Sequence, residues 1–414
     1  MLRIIHTADW HLGHSLHGLS RDYEHQAFLT WLLDRLQQEQ VDGLVISGDI
    51  FDTANPPASA LALFYRFLAE ARRRMPQLDM VIIAGNHDSP ARLEAPEPLL
   101  AAVGVKVVGV LPHQASGELD WDRLLVPLHD ANGQVAAWCA AVPFLRPADL
   151  PVSPSEDDPL VNGVGQIYQE ILTTALAQRG PGQALLALGH CYLVGTQLSE
   201  LSERRILGGN QHALPISLFS PDWAYVALGH LHRPQALARG QIRYSGSPLP
   251  LSFGEIHYPH QVVRVDFNGE HCHDVEGLII PRAVALLRLP KEGAQPLSAV
   301  LALLRHYPWD YSLLPAAYPF LEVAVSLEQP EPALRQQLEE VLAGKPVRLL
   351  KISAHSPGRG ESLADIFPER QLDDLQPEEV FIRRYHLKYQ APPPTELMTA
   401  FRTLLEEIEH QELT

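Results

Sequence analysis

Seven side chains of metal-binding type stand directly after short apolar runs in this chain. Asp9 and His11 follow Ile4-Ile5, within His6-Thr7-Ala8-Asp9-Trp10-His11. Asp49 follows Leu44-Val45-Ile46 through Ser47-Gly48, and Asn86 follows Val81-Ile82-Ile83 within Ala84-Gly85-Asn86-His87-Asp88. His190 follows Leu185-Leu186-Ala187-Leu188-Gly189, and His230 and His232 follow Tyr225-Val226-Ala227-Leu228-Gly229. Carboxylate, amide oxygen and imidazole are the ligands that hard and borderline divalent cations prefer. Asp9 and His11 lie two apart, as do His230 and His232, so each pair can face one ion. A carboxylate placed like Asp49, just after a glycine, can bridge two. Taken singly these motifs say little: Asp-x-His arises by chance, and Gly-Asn-His-Asp also suits a plain turn. Their joint occurrence points to one site.

Short apolar, partly β-branched runs bounded by glycine predict buried strands. A sheet sets strand ends side by side, so ligands scattered over more than half the chain converge on one edge, enough for two divalent cations. Helices must lie between the strands. Phe28, Trp31, Leu32 and Leu36 recur at helical spacing over Tyr23–Gln40, and Leu61, Phe64, Phe67 and Leu68 over Pro57–Arg74. A third helix, Pro90–Val103, is interrupted by Pro96 and Pro98. This alternation predicts a layered α/β fold. Residues 151–165, rich in Pro, Asp and Gly, predict an exposed loop.

A second pattern begins near Pro281: strand 283–289, helix 297–306, strand 320–327, helix 331–342 and strand 346–352. This small α/β unit carries no ligand cluster. The linker Ser356-Pro357-Gly358-Arg359-Gly360 follows, then a tail from 363 to 414. Two amphipathic helices are predicted there, one after Pro377 and one from Thr395 with the stripe Leu397, Met398, Phe401, Leu404, Leu405 and Ile408. The expected domains are 1–275, 281–355 and 363–414.

Length and composition set bounds. With 414 residues the chain exceeds one ordinary core. A hydrophobic fraction of 46% is globular, and no apolar run reaches the roughly 18 residues of a membrane span. No signal-peptide pattern opens the chain. The three cysteines, Cys139, Cys191 and Cys272, match no zinc or redox spacing. A cytoplasmic protein with reduced thiols is therefore expected. The net charge of −17 argues against a surface coated with DNA-binding lysines. A DNA role would need metals at the phosphate, a local basic patch, or a partner that supplies the grip.

The order Asp-x-His, Gly-Asp-x-x-Asp, Gly-Asn-His-Asp, Gly-His, Gly-His-x-His resembles that of the calcineurin-like metallophosphoesterase superfamily. Thr53-Ala54 stands where the phosphoprotein phosphatases carry Arg-Gly, and Asp88 where they carry Glu, which favours a nuclease. Four segments narrow the resemblance to the SbcD family, the nuclease components of bacterial SbcC–SbcD complexes and relatives of the double-strand-break repair nucleases. They are His6–Gly13, Gly48–Thr53 with Pro56-Pro57, Gly229–His232 with Tyr244–Phe253, and Pro377–Arg384. Some relatives carry His where this chain has Asp52.

The resemblance implies a four-layer αββα sandwich, a smaller α/β capping domain that contacts DNA, and a helical tail that binds the SbcC coiled-coil ATPase. It implies two divalent ions, Mn²⁺ foremost. Asp9, His11, Asp49 and His232 would hold one, and Asp49, Asn86, His190 and His230 the other. His87 would stabilise or protonate the leaving oxygen, with Asp88 either orienting it or capping the turn. Expected activities are 3′–5′ exonuclease on double-stranded ends and endonuclease on single strands and hairpins, gated by ATP through SbcC. The helices over 57–74 and 90–103 resemble the family's dimer-forming bundle, with Leu63, Phe64 and Phe67 as interface or core residues, in a homodimer within a heterotetramer. Two other readings stand beside this one: a small-molecule phosphodiesterase of the same superfamily, and a non-catalytic scaffold for an ATPase.

Overall fold

The computed structural model describes residues 1–151, 158–197, 213–329 and 331–355, together with scattered positions between 378 and 401. Two six-stranded sheets form its centre. In the first, the parallel strands Leu2–Thr7, Gly43–Ser47, Asp79–Ile83 and Val105–Val108 lie side by side in that order. Gln261–Asn268 and His271–Ile279 extend it antiparallel beyond Leu2–Thr7. In the second, Tyr225–Gly229 runs parallel to Ala184–His190, which runs parallel to Val135–Ala141. Leu125–His129, Ile242–Tyr244 and Gln235–Leu237 complete it.

Alternation along the first sheet explains the layering. Ile4, Val45, Val81 and Ile83 share one core with the second sheet and helix Pro159–Gln178. Their neighbours Ile5, Leu44, Ile46, Met80 and Ile82 point the other way, into a core with helices Asp22–Gln38 and Ala58–Arg74. Successive strand residues face opposite sides, so a strand apolar throughout is one buried on both faces. The result is helix, sheet, sheet, helix. Leu63, Phe64 and Phe67 are buried in this second core, and Phe64 and Phe67 pack edge-on against Trp10. They are core residues, which settles the choice against an interface role for them.

The helix expected over 90–103 is two short ones, Pro90–Glu94 and Glu97–Ala101, parted before Pro96. The loop expected over 151–165 ends early. The Asp158 carboxylate accepts from Leu160 N and Val161 N, and Pro159 stands at the first helical position, so helix Pro159–Gln178 begins there despite Gly163 and Gly165.

A third, four-stranded sheet contains Leu286–Leu289 and, parallel to it, Phe320–Ser326, which also pairs with Arg348–His355. Helices Leu297–His306 and Leu334–Leu342 accompany it. By its contacts the chain divides into two compact units, residues 1–325 with 333–353 and residues 326–332 with 354–414. In the second unit Glu378, Phe381–Arg383, Tyr385, His386, Leu397, Met398 and Phe401 are helical, and Phe381 stacks on Phe401 with ring centroids 4.2 Å apart. The expected linker 356–360 and the rest of the tail helices lie outside the described residues. No described helix is long and apolar enough to cross a membrane.

Candidate metal centre

The seven predicted ligands come together across the ends of both central sheets. Asp9 and His11 follow strand Leu2–Thr7, Asp49 follows Gly43–Ser47, and Asn86 follows Asp79–Ile83, all in the first sheet. His190 ends Ala184–His190, and His230 and His232 follow Tyr225–Gly229, in the second. The hydroxyl of Ser47 donates to Ala227 O at 3.0 Å and ties the two edges together.

Each pair of ligands two residues apart is separated by an anchor. Trp10 is wholly buried, donates to Thr7 Oγ1 at 2.9 Å, and meets Phe28 and Phe67 edge-on. With Trp10 held below the loop, Asp9 and His11 turn to the site above. Leu231, also wholly buried, lies between His230 and His232 in the same way. The turns are tight. Asp9, His11, Asp49 and His230 adopt positive φ of 55°, 46°, 50° and 97°. Asp and His tolerate this region better than most residues, yet each such position costs about 1–3 kcal/mol and persists only where surroundings enforce it. Gly85 serves close approach: a Cβ there would collide with the Asp49 carboxylate and the Asp49 backbone nitrogen.

Both carboxylates are half satisfied. Asp9 Oδ1 accepts from His230 N at 2.8 Å, while Asp9 Oδ2 is buried with no hydrogen-bond partner. Asp49 Oδ1 accepts from His87 N at 2.8 Å, while its Oδ2 stands 3.6 Å from His11 Nε2 and 3.4 Å from His190 Nε2. His190 donates through Nδ1 to Ser47 O at 2.8 Å. In the neutral ring its Nε2 therefore carries a lone pair, and it faces Asp49 Oδ2 and, at 2.9 Å, Asn86 Oδ1. Asn86 Oδ1 is also 3.0 Å from His230 Nδ1. Acceptors converging on acceptors in a buried space require a cation between them, or a proton in its place. Burial opposes charge on His190, but Asp49, Asp9 and the Ser47 carbonyl outweigh it and lift the ring to about 9.

The donor set fits divalent cations. Asp9, His11 and His232 bring ligand atoms within 4.8 Å of one another, and so do Asp9, Asp49 and His190. Asp49 lies between His11 and His190 and can serve both sides. Cys191 follows His190 in sequence, and the three cysteines are free thiols whose pKa burial raises, which leaves an oxygen and nitrogen site.

His87 is half-buried at the rim, its ring edge-on to His11 with centroids 4.8 Å apart. Its Nδ1 donates to Asp52 O at 2.7 Å. The orienting role held open for Asp88 thus falls to the Asp52 carbonyl. Asp88 is buried, and its carboxylate accepts from Ile50 N at 3.1 Å, Phe51 N at 2.9 Å and Gly85 N at 2.8 Å. It caps the two loops that carry Asp49 and Asn86. Burial and the nearby Asp49 charge raise it to about 6.

Two further residues contribute beyond the seven predicted ligands: Asp52, which closes the Gly-Asp-x-x-Asp motif, and Glu255. Asp52 Oδ1 is 3.3 Å from His11 Nδ1, besides the backbone contact to His87. Glu255, wholly buried, receives His232 Nδ1 at 3.0 Å. Glu255 is distant from His232 in the chain and belongs to no ligand motif, so only the fold reveals it.

Sheets, layers and site define a metal-dependent phosphoesterase of the calcineurin-like class. The profile of calcineurin-like phosphoesterases matches residues 2–234, and that of the type 5 capsule protein repressor C-terminal domain matches residues 282–389. The chain is 41% identical to the SbcD component of the nuclease SbcCD from Rhodobacter capsulatus over 389 residues, covering 92% of this chain and 93% of that protein. It is 32% identical to the corresponding SbcD component of Escherichia coli K12 over 395 residues, covering 94% and 93%. The chain belongs to the SbcD family.

Proposed function

We propose that this chain is a two-metal DNA nuclease that works with an SbcC-type ATPase. The observation that carries this reading is the Asp49 carboxylate set between His11 and His190, with Oδ1 held by the His87 N–H and Oδ2 turned toward both imidazoles. Asp9, His11, Asp49 and His232 would hold one ion, and Asp49, Asn86, His190 and His230 the other. Paired divalent ions supply an activated water and neutralise charge developing on the phosphate. Mn²⁺ suits this mixed oxygen and imidazole set.

The protein's own residues do the rest. Asp9 and Asp49 spend one oxygen each on backbone N–H groups, which fixes the direction of the other. The Asp52 carbonyl fixes the His87 ring at the rim, with Nδ1 protonated. As the imidazolium, with Nδ1–H held by the Asp52 carbonyl, His87 would present Nε2–H to the phosphate and pass that proton to the departing sugar oxygen, leaving the neutral ring. Asp88 keeps the Asp49 and Asn86 loops in register. Residues 281–355 serve as a cap that contacts DNA, and residues 363–414 bind the ATPase. The similarity to named SbcCD nuclease components supports both assignments. A partner that clamps DNA reconciles a net charge of −17 with a nucleic-acid substrate. A second copy of the chain would meet the short helix Glu97–Ala101, where Leu99 is 75% exposed. Polarity, 3′ to 5′ on double-stranded ends, with opening of hairpins and single strands under ATP control, follows the family resemblance.

The test is cleavage of an end-labelled DNA hairpin in Mn²⁺, with and without SbcC and ATP. Metal-dependent cleavage that partner and ATP strengthen supports the reading. Turnover of a small chromogenic phosphodiester without DNA cleavage under any condition would replace it with the small-molecule phosphodiesterase.

A further inference from the structure

We propose that Glu255 is a positioning residue for the metal centre, selecting the tautomer of His232 and holding its ring toward the metal. The inference rests on the metal reading above and goes beyond its ligand set.

Glu255 is wholly buried, and both of its oxygens are committed. Oε1 lies 3.0 Å from His232 Nδ1, and Oε2 accepts from Leu251 N at 2.7 Å. A buried carboxylate beside Nδ1 demands a proton there. Nε2 is then left with its lone pair, the form an imidazole needs to bind a cation. The His232 ring meets the His11 ring edge-on, centroids 5.1 Å apart, on the site side.

The segment that carries Glu255 is pinned at several points. Buried Arg21 donates to Pro250 O and pairs with Glu24 at 2.6 Å. Arg282 donates to Ile256 O at 2.9 Å, and Arg288 donates to Phe253 O at 3.3 Å. Phe253 is packed with Leu16, Val284, Leu286 and Phe320. Arg288 and three of those apolar residues come from the third sheet or the stretch leading into it. That sheet therefore helps set the position of a metal ligand through Glu255, although none of its own residues reaches the site.

The amide of Glu255→Gln offers one acceptor where Leu251 N–H and His232 Nδ1–H both need one. Whichever way the amide turns, one donor faces a donor. Either the segment shifts, or His232 takes the other tautomer and its Nε2 lone pair is lost.

The experiment is an Mn²⁺ titration of the purified full-length chain, followed by electron paramagnetic resonance of the free ion. It covers wild type, Glu255→Gln, His232→Ala and the double variant. The expected result is two ions on wild type and an affinity about 10- to 100-fold weaker for one of them in Glu255→Gln. In the His232→Ala background, Glu255→Gln is expected to change affinity less than about twofold, since its effect passes through the missing ring. Unchanged affinity in Glu255→Gln, or losses that simply add in the double variant, overturns the inference while leaving the metal site standing. A wild-type chain that binds no Mn²⁺ overturns the metal reading itself. Should Glu255→Gln fail to fold, Glu255→Asp keeps the charge but withdraws it by one methylene, and its affinity is read by the same criteria.

Discussion

Asp49 Oδ2 and His190 Nε2 stand 3.4 Å apart, although Asp49 follows a strand of one sheet and His190 ends a strand of the other. The site is a seam between two sheets, and Asp49 spans it together with Asp9, Asn86 and Ser47. Replacing Asp49 by Ala removes the oxygen shared by both halves. Metal content measured after gel filtration is expected to fall, and DNA cleavage to drop by a factor on the order of 10³. Full cleavage by metal-replete Asp49→Ala would end the two-metal assignment.

His87 is poised by the Asp52 carbonyl and sits at the rim. His87→Ala should keep its metals and its fold, and lose about 10²- to 10⁴-fold in cleavage rate. Metal analysis and single-turnover cleavage on the same preparation separate this from loss of a ligand. Loss of metal in this variant would make His87 structural.

A Cβ at Gly85 would collide with the Asp49 carboxylate. Gly85→Ala is expected to displace Asp49 and to reproduce the metal loss of Asp49→Ala, while far-ultraviolet circular dichroism stays close to wild type. Normal Mn²⁺ affinity in Gly85→Ala would show that the loop yields at no cost to the site.

Acid should destabilise the fold through two buried histidines. Burial lowers His6 and His25 to about 3 each. Their protonated forms are favoured in the unfolded chain, so the stability they provide is complete above the ordinary value of 6.5 and is lost as pH falls from 6.5 toward 3. Each contributes a slope of up to about 1.4 kcal/mol per pH unit in that window. Urea melts at pH 7 and pH 5 measure it. A His25→Leu variant should show a shallower loss, and an equal loss would remove His25 from the account.

Much of this was legible in the linear chain, for a physical reason. A buried parallel strand must be apolar on both faces, so its end is marked abruptly by the first polar residue. Ligands placed at those ends are visible as Ile5 giving way to Asp9 and His11, or Leu228 to His230 and His232. Phe64 and Phe67 were ambiguous because an apolar helix stripe is the same whether it faces a core or a partner. The packing of Trp10 against them decided it. Helix Pro159–Gln178 hid its start in a loop-like composition, and the Asp158 cap revealed it. What only the tertiary structure decided are the contacts between distant segments: Asp88 holding loops rather than His87, the Asp52 carbonyl orienting His87, and Glu255 reaching His232. Local sequence records which side chains a strand end presents. It does not record which oxygen from another part of the chain will come to lie 3.0 Å away, because that distance is set by how the sheets and their connecting segments pack.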